Sequence, residues 1–270
     1  MTLPLEKASV EAVERLARDA GAVALRHFET LSTVPVESKG HLDLVTAADQ
    51  DVERYLTEGL AKAFPEDGIF GEEGAAYQGT SGRTWVVDPI DGTFNFVRGG
   101  DQWAISIGLY EAEQPTFGVI FAPLRSQMLV GGIGLASTMN GERLAHRSGL
   151  DSSRASCGVG FHPVIPVDLR LETLRFVLED VGMSFRCCGS ATLSLIEVAL
   201  GQVDGYLGIG ESSWDLMAAL PILDQIGIRS TVDWKTTDLS SKLRFACGTP
   251  EFLKAVEPII AFGATLGHEV

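Results

Sequence analysis

A chain of 270 residues allows one large domain or two small ones at roughly 150 residues each, and 45% hydrophobic against 21% charged residues excludes a disordered, collagenous or membrane chain. Thirty-six acidic against 21 basic side chains leave a formal net charge of −15, which repels phosphate backbones and anionic lipid, so neither nucleic acid nor membrane is an expected partner. The same carboxylates are raw material for hard divalent cations. No apolar run reaches the roughly eighteen residues that span a bilayer, and Met1 to Lys7 shows no basic segment followed by an apolar one, so a cytoplasmic location is expected. Cys157, Cys187, Cys188 and Cys247 lack zinc-type spacing and read as reduced thiols, two or three of them in apolar surroundings.

In chain order, residues 5–28 carry Leu5, Ala8, Val13, Leu16, Ala17, Ala20, Val23 and Ala24 at helical spacing, which predicts an amphipathic helix. A second helix is expected over 47–64, capped by Thr46 and ended by Pro65. Strand-like pieces follow at 68–70, 84–87, 104–110, 116–121 and 127–131, with a hairpin connection at 111–115 and a tight turn at Asn140-Gly141. This half reads as helices covering a largely antiparallel sheet. The second half alternates: strand 155–160, helix 168–181, strand 184–187, helix 191–200, strand 205–209, helix 214–226, strands 228–232 and 243–247, helix 250–262. The change of character near 145–154 carries no Pro/Ser-rich linker, so residues 1–270 are expected to form a single unit with an N-terminal half of about 1–147 and a C-terminal α/β half of about 148–270.

The segment Trp85 to Phe96, WVVDPIDGTFNF, is the most informative. Pro89 has no donor and biases its predecessor toward extended geometry, so the strand is expected to end there and deliver Asp88 at its end. Asp91 follows three residues later, ahead of Gly92-Thr93, a small-residue turn whose amides can face an anion. Two carboxylates about 4 Å apart repel by roughly 4 kcal/mol at an effective dielectric near 20, so the turn needs protons, cations or a metal. The nearest basic residue downstream is Arg98, which favours a divalent ion, Mg²⁺ in particular, although Asp also caps turns without one. Gly71-Glu72-Glu73-Gly74 after a strand, Asp49 three residues after Thr46, and Trp214-Asp215 opening an apolar helix are each ambiguous alone, since acidic loops are usually solvated and first-turn acids favour the helix dipole.

Together, Asp43 to Asp49 (DLVTAAD), Gly71-Glu72-Glu73, the Trp85 to Asn95 segment and Trp214-Asp215 resemble the inositol monophosphatase family, Mg²⁺-dependent, lithium-sensitive phosphatases, with order and separations that fit over nearly the whole chain. The resemblance implies a layered α/β (α+β) fold, an αβαβα sandwich, commonly assembled as a homodimer. Carried over position by position, it implies that Glu72, Asp88 and the Ile90 carbonyl hold one Mg²⁺, that Asp88, Asp91 and Asp215 hold a second, and that a weaker third ion sits near Glu72. It makes Asp49 the base and Thr93 the relay that polarise the attacking water, with Glu72 also in the catalytic set. The resemblance further implies that Asp91, Gly92, Thr93, Gly189, Ser190, Ala191 and Asp215 face the substrate, a small phosphorylated metabolite.

The implied activity is hydrolysis of a small, inositol monophosphate-like phosphomonoester. The alternatives are a histidinol-phosphate phosphatase of the same fold, whose 214–220 helix looks similar, and a non-catalytic acidic metal-binding or interaction module. Bisphosphate-hydrolysing branches usually carry longer insertions than 270 residues accommodate. Family members specific for inositol usually carry a glutamate at the position of Gly208, so inositol preference is expected to be weak unless Glu211 takes that place. Arg98, where many members have His, and Asp101-Gln102-Trp103 also depart from the pattern at the substrate rim.

Overall fold

The computed structural model describes residues 4–31, 36–40 and 43–264. Helix α1 (Lys7–Phe28) buries the small residues Ala17, Ala20, Gly21 and Ala24, so a neighbouring helix can approach closely. That neighbour is α2 (Ala47–Ala63), entered from the antiparallel hairpin β1 (Val36–Gly40) and β2 (Asp43–Thr46), and its Ala48, Val52, Leu56 and Leu60 repeat every fourth residue toward the core.

Strands β3 (Gly68–Gly71), β4 (Ala76–Tyr77) and β5 (Arg83–Asp91) lead through the short helix α3 (Thr93–Val97) to β6 (Ala104–Glu111), β7 (Gln114–Ala122), β8 (Gln127–Gly132), β9 (Leu135–Met139) and β10 (Glu142–Arg143). They form an eight-stranded sheet in the order β10-β9-β8-β7-β6-β5-β3-β4, antiparallel except where β3 runs parallel to β5. The second half contributes β11 (Ser156–Phe161), α4 (Val167–Arg175) continuing into a π-helical turn, β12 (Ser184–Arg186), α5 (Ala191–Leu200), β13 (Gly205–Glu211), α6 (Ser213–Leu216), α7 (Ala219–Asp224), β14 (Arg229–Ser230), β15 (Leu243–Gly248) and α8 (Pro250–Ala264). Their sheet has the order β12-β11-β13-β15-β14, with β11 to β13 parallel and β15 reversed.

Alternation along β5 sorts the layers. Trp85 and Val87 pack with α1 and α2, whereas Val86 packs with α5, α6 and α7 on the other face. Those middle helices also meet Tyr206, Phe245 and Cys247 of the second sheet, whose far face packs Cys157, Leu207 and Ala246 against α8 and the α4 segment. The result is the expected αβαβα sandwich, and no helix among the described residues is long and apolar enough to cross a membrane.

The structure corrects three expectations. Strand β5 does not end before Pro89 but continues to Asp91, because a bulge separates the Asp88↔Ser106 and Asp91↔Ala104 pairs and leaves Pro89 where the ladder needs no donor. The single helix expected over 214–226 is broken at Met217-Ala218, since Pro221 cannot donate to the Met217 carbonyl and its ring crowds that group. The strand expected over 228–232 shrinks to Arg229–Ser230 at a sheet edge.

The helix break fits a complementary feature of the first sheet. Gly108, Gly118 and Gly131 lie side by side across β6, β7 and β8, making a trough in the sheet. A methyl group on Gly118 would overlap the Ala218 carbonyl, and one on Gly108 would come within 2.5 Å of the Met217 carbonyl carbon. The trough therefore seats the backbone that directly follows Asp215. Gly118→Ala is expected to destabilise the fold by about 1–3 kcal/mol through overpacking, read from the urea midpoint. An unchanged midpoint would show that the 217–218 backbone is not seated by the trough.

Candidate metal centre

A strand bulge and a helix start deliver three acids to one place. The bulge in β5 presents Asp88 and Asp91, the first turn of α6 presents Asp215, and each offers an oxygen within 4.8 Å of the others. Asp88 and Asp91 are only 1% and 7% exposed. The Ile90 N–H donates to Asp88 Oδ1 at 3.0 Å, and Glu72, from the turn after β3, adds its charge and a hydrogen bond to Asp88. Burial, then the charges of Glu72, Asp91 and Asp215, push the Asp88 carboxyl well above the usual range. Burial, then Glu211, Asp91 and Glu72, do the same to Asp215, against the Ser212 N–H that donates to its Oδ2 at 2.6 Å.

Asp91 is held differently. Its Oδ2 accepts hydrogen bonds from the hydroxyls of Ser190 and Thr192 and, at 2.8 Å, from the Thr192 N–H, while the Ala191 N–H donates to Oδ1 at 3.3 Å. Burial raises its pKa and these donors oppose the rise. Ser190 and Ala191, expected at the substrate, therefore also bind a carboxylate of the other half of the chain. Asn95 Nδ2 bridges the Gln102, Cys188 and Gly189 carbonyls at 2.8, 2.8 and 3.1 Å and fixes the preceding loop. Gly92 sits at φ +94°, before α3, where a side chain would strain the turn.

Asp49 and Thr93, paired in the sequence only through the resemblance, lie next to each other. Thr93 Oγ1 lies 3.1 Å from Asp49 Oδ1 and 3.0 Å from the Ile90 carbonyl, able to donate to either. Asp49 Oδ2 accepts the Thr46 N–H at 2.8 Å and the Thr46 hydroxyl at 2.6 Å, completing a capping box on α2. Burial raises the Asp49 pKa, and the Thr46 and Thr93 hydrogen bonds oppose the rise.

Glu211 stands beside Gly208. A second bulge, between Ile209 and Glu211, turns on Gly210 at φ +91°, a backbone that disfavours any side chain. It puts Glu211 on the Gly208 face: a side chain at Gly208 would come within 2.8 Å of Glu211 Cγ and overlap Phe245. Tyr206 donates its hydroxyl to Glu211 Oε1 at 2.5 Å, and Glu211 lies against Asp215. Sequence reasoning missed Tyr206, Thr192 and Lys242, whose Nζ lies 2.8 Å from Ser212 Oγ and 5.9 Å over the Trp214 ring. Only the hydroxyl in Ser190-x-Thr192 at a helix start was a usable signal.

The crowding has a measurable consequence. A carboxyl whose folded pKa is raised binds more protons in the folded than in the unfolded chain, so its contribution to stability falls as pH rises through the folded pKa. In chelator, Asp215→Asn is expected to melt higher than wild type, by a margin that grows as pH rises above the ordinary carboxylate range and shrinks when Mg²⁺ is added. A margin independent of pH would remove charge repulsion as the cause.

The model of the inositol monophosphatase family matches residues 6–258. A relative described as Nus factor SuhB, from Xylella fastidiosa, is 34% identical over 228 residues, covering 83% of this chain and 81% of its own. A fructose-1,6-bisphosphatase/inositol-1-monophosphatase from Aquifex aeolicus is 30% identical over 223 residues, covering 82% and 84%. The crystal structure of the extragenic suppressor protein suhB from Bartonella henselae superimposes with a TM-score of 0.87 at 26% identity, over 95% of this chain and 100% of the other. The chain belongs to the inositol monophosphatase family.

Proposed function

We propose that this chain hydrolyses a small phosphomonoester with Mg²⁺. The observation that carries the reading is the Thr93 hydroxyl, 3.1 Å from Asp49 Oδ1, beside the converging Asp88, Asp91 and Asp215. An ion site alone has no need of that pair. The donor set fits the metal: carboxylate oxygens, buried and mutually repelling, are what a hard divalent cation neutralises.

Glu72, Asp88, the Ile90 carbonyl, Asp91 and Asp215 would hold the ions, two or three in number. When bound, they supply Lewis acidity, a more acidic water and neutralisation of the leaving oxygen. Thr93 Oγ1 would take a proton from the attacking water as its own hydroxyl proton moves to Asp49 Oδ1, whose raised pKa brings it nearer the working range of a general base. The Gly92-Thr93 turn and the start of α5 at Gly189-Ser190-Ala191 position the phosphate and its ester, the dominant contribution in phosphoryl transfer. Lithium sensitivity and a homodimer come with the family reading.

Phosphate release from a phosphomonoester panel is expected to vanish in chelator and return with Mg²⁺. Asp91→Asn is expected to lose turnover, and Thr93→Ala to keep metal binding while slowing the chemical step by roughly 10²- to 10⁴-fold. Full activity in excess chelator would refute the reading. So would unchanged turnover in both variants.

Glu211 changes the expected specificity. With the Glu211 side chain beside Gly208 and its carboxylate held by Tyr206, a hydroxyl-binding acceptor is present near that position, and we infer a preference for hydroxyl-bearing leaving groups. Glu211→Gln is expected to lower the kcat/KM ratio of inositol 1-phosphate to cyclohexyl phosphate, whose leaving group carries no further hydroxyl, by about tenfold or more. An unchanged ratio would leave Glu211 a partner of Tyr206 only. Histidinol phosphate in the same panel tests the alternative phosphatase.

A second reading rests on the relative from Xylella fastidiosa described as a Nus factor: a role through protein contacts, without turnover. Absence of phosphate release from every ester with Mg²⁺ bound would favour it.

A further inference from the structure

We propose that Glu53 is a positioning residue of the metal centre, holding the turn that carries Glu72; the proposal rests on the reading of the acid cluster as a metal site. Glu53 lies one helical turn after Asp49 on α2, on the same face, and is only 5% exposed. Its Oε2 accepts the Glu73 N–H at 2.7 Å and its Oε1 accepts the Ala75 N–H at 2.9 Å. The turn is closed by the Gly71 N–H, which donates to the Ala75 carbonyl at 2.7 Å.

Glu72 therefore stands between two fixed neighbours. Gly71 is tied through Ala75, and Glu73 is tied directly to Glu53. The carboxylate can come this close because residue 71 lacks a side chain: a Cβ there would overlap Glu53 Oε2. Both carboxylate oxygens act on backbone donors, and such charge-assisted bonds are the strong, geometrically demanding kind. A buried carboxylate that only packed would be costly. Here it orients a turn whose central side chain reaches Asp88. One rigid helix thus sets two parts of the site: Asp49 from its first turn, and Glu72 through Glu53 from its second. Groups that orient metal ligands typically matter by 10- to 100-fold in affinity.

The test uses the full chain stripped of metal, with Mn²⁺ as the probe, its binding followed by electron paramagnetic resonance. Glu53→Gln keeps the shape but sets an amide donor against a backbone donor. It is expected to weaken Mn²⁺ binding about 10- to 100-fold. At saturating Mg²⁺ its kcat is expected to recover most of the wild-type value with substrate KM unchanged. Gly71→Ala, which keeps Glu53 but forces it away, is expected to act in the same direction and serves if Glu53→Gln fails to fold. Glu58→Gln, exposed on the same helix, is expected to bind Mn²⁺ like wild type. A folded Glu53→Gln protein that melts lower but binds Mn²⁺ within about twofold of wild type overturns the proposal and leaves Glu53 purely structural. Wild type that fails to bind Mn²⁺ overturns the metal reading itself. Wild type that binds Mn²⁺ without releasing phosphate removes the phosphatase reading and leaves the role of Glu53 standing.

Discussion

Repulsion among buried carboxylates is the constraint on which this structure turns. Asp88, Asp91 and Asp215 gather, with Glu72 beside Asp88, where burial and neighbouring charge oppose the ionisation of Asp88 and Asp215. At about 4 Å and an effective dielectric near 20, each such pair costs roughly 4 kcal/mol. No local sequence preference would assemble it, so the surrounding structure must force the acids together.

It does so by taking the acids from three separate elements and fixing each element elsewhere. The β5 bulge is pinned by pairing with β6, Asp215 by the trough of Gly108 and Gly118 behind it, and Glu72 by the turn between β3 and β4. Asp91 is clamped by Ser190, Ala191 and Thr192 from the far half of the chain. The two halves are therefore coupled through the site as well as through the apolar middle layer that both sheets share.

Legibility in the sequence follows the range of the forces involved. Helical spacing in α1 and α2 and apolar runs in the strands are local patterns, and the layers follow from them. The acid motifs are equally visible because turn chemistry is local. What stays hidden depends on partners distant in sequence. Glu53 sits among charged neighbours and reads as a solvated surface residue, yet it is buried because its acceptors meet donors twenty residues away. Glu211 cannot be placed from the sequence because one extra residue in the β13 bulge decides which face it takes. The continuation of the strand past Pro89 is hidden for the same reason: a proline forbids a ladder bond, and only the partner strand decides whether that bond is required.

Asp49 shows why the structural and chemical explanations of a residue need not compete. As a capping residue it is accounted for by Thr46, which takes only Oδ2. Its Oδ1 is left to Thr93. A carboxylate has two oxygens and about four acceptor sites, so one side can fix the helix start while the other meets Thr93. The cap is then what gives the second oxygen a defined direction, as the proposed base would require. The same division recurs at Asp215, where the Ser212 N–H takes Oδ2 as α6 begins while the group still faces Asp88 and Asp91. At both positions the acid in a first helical turn, ambiguous in the sequence, binds the helix start with one oxygen and leaves the other to face its neighbours.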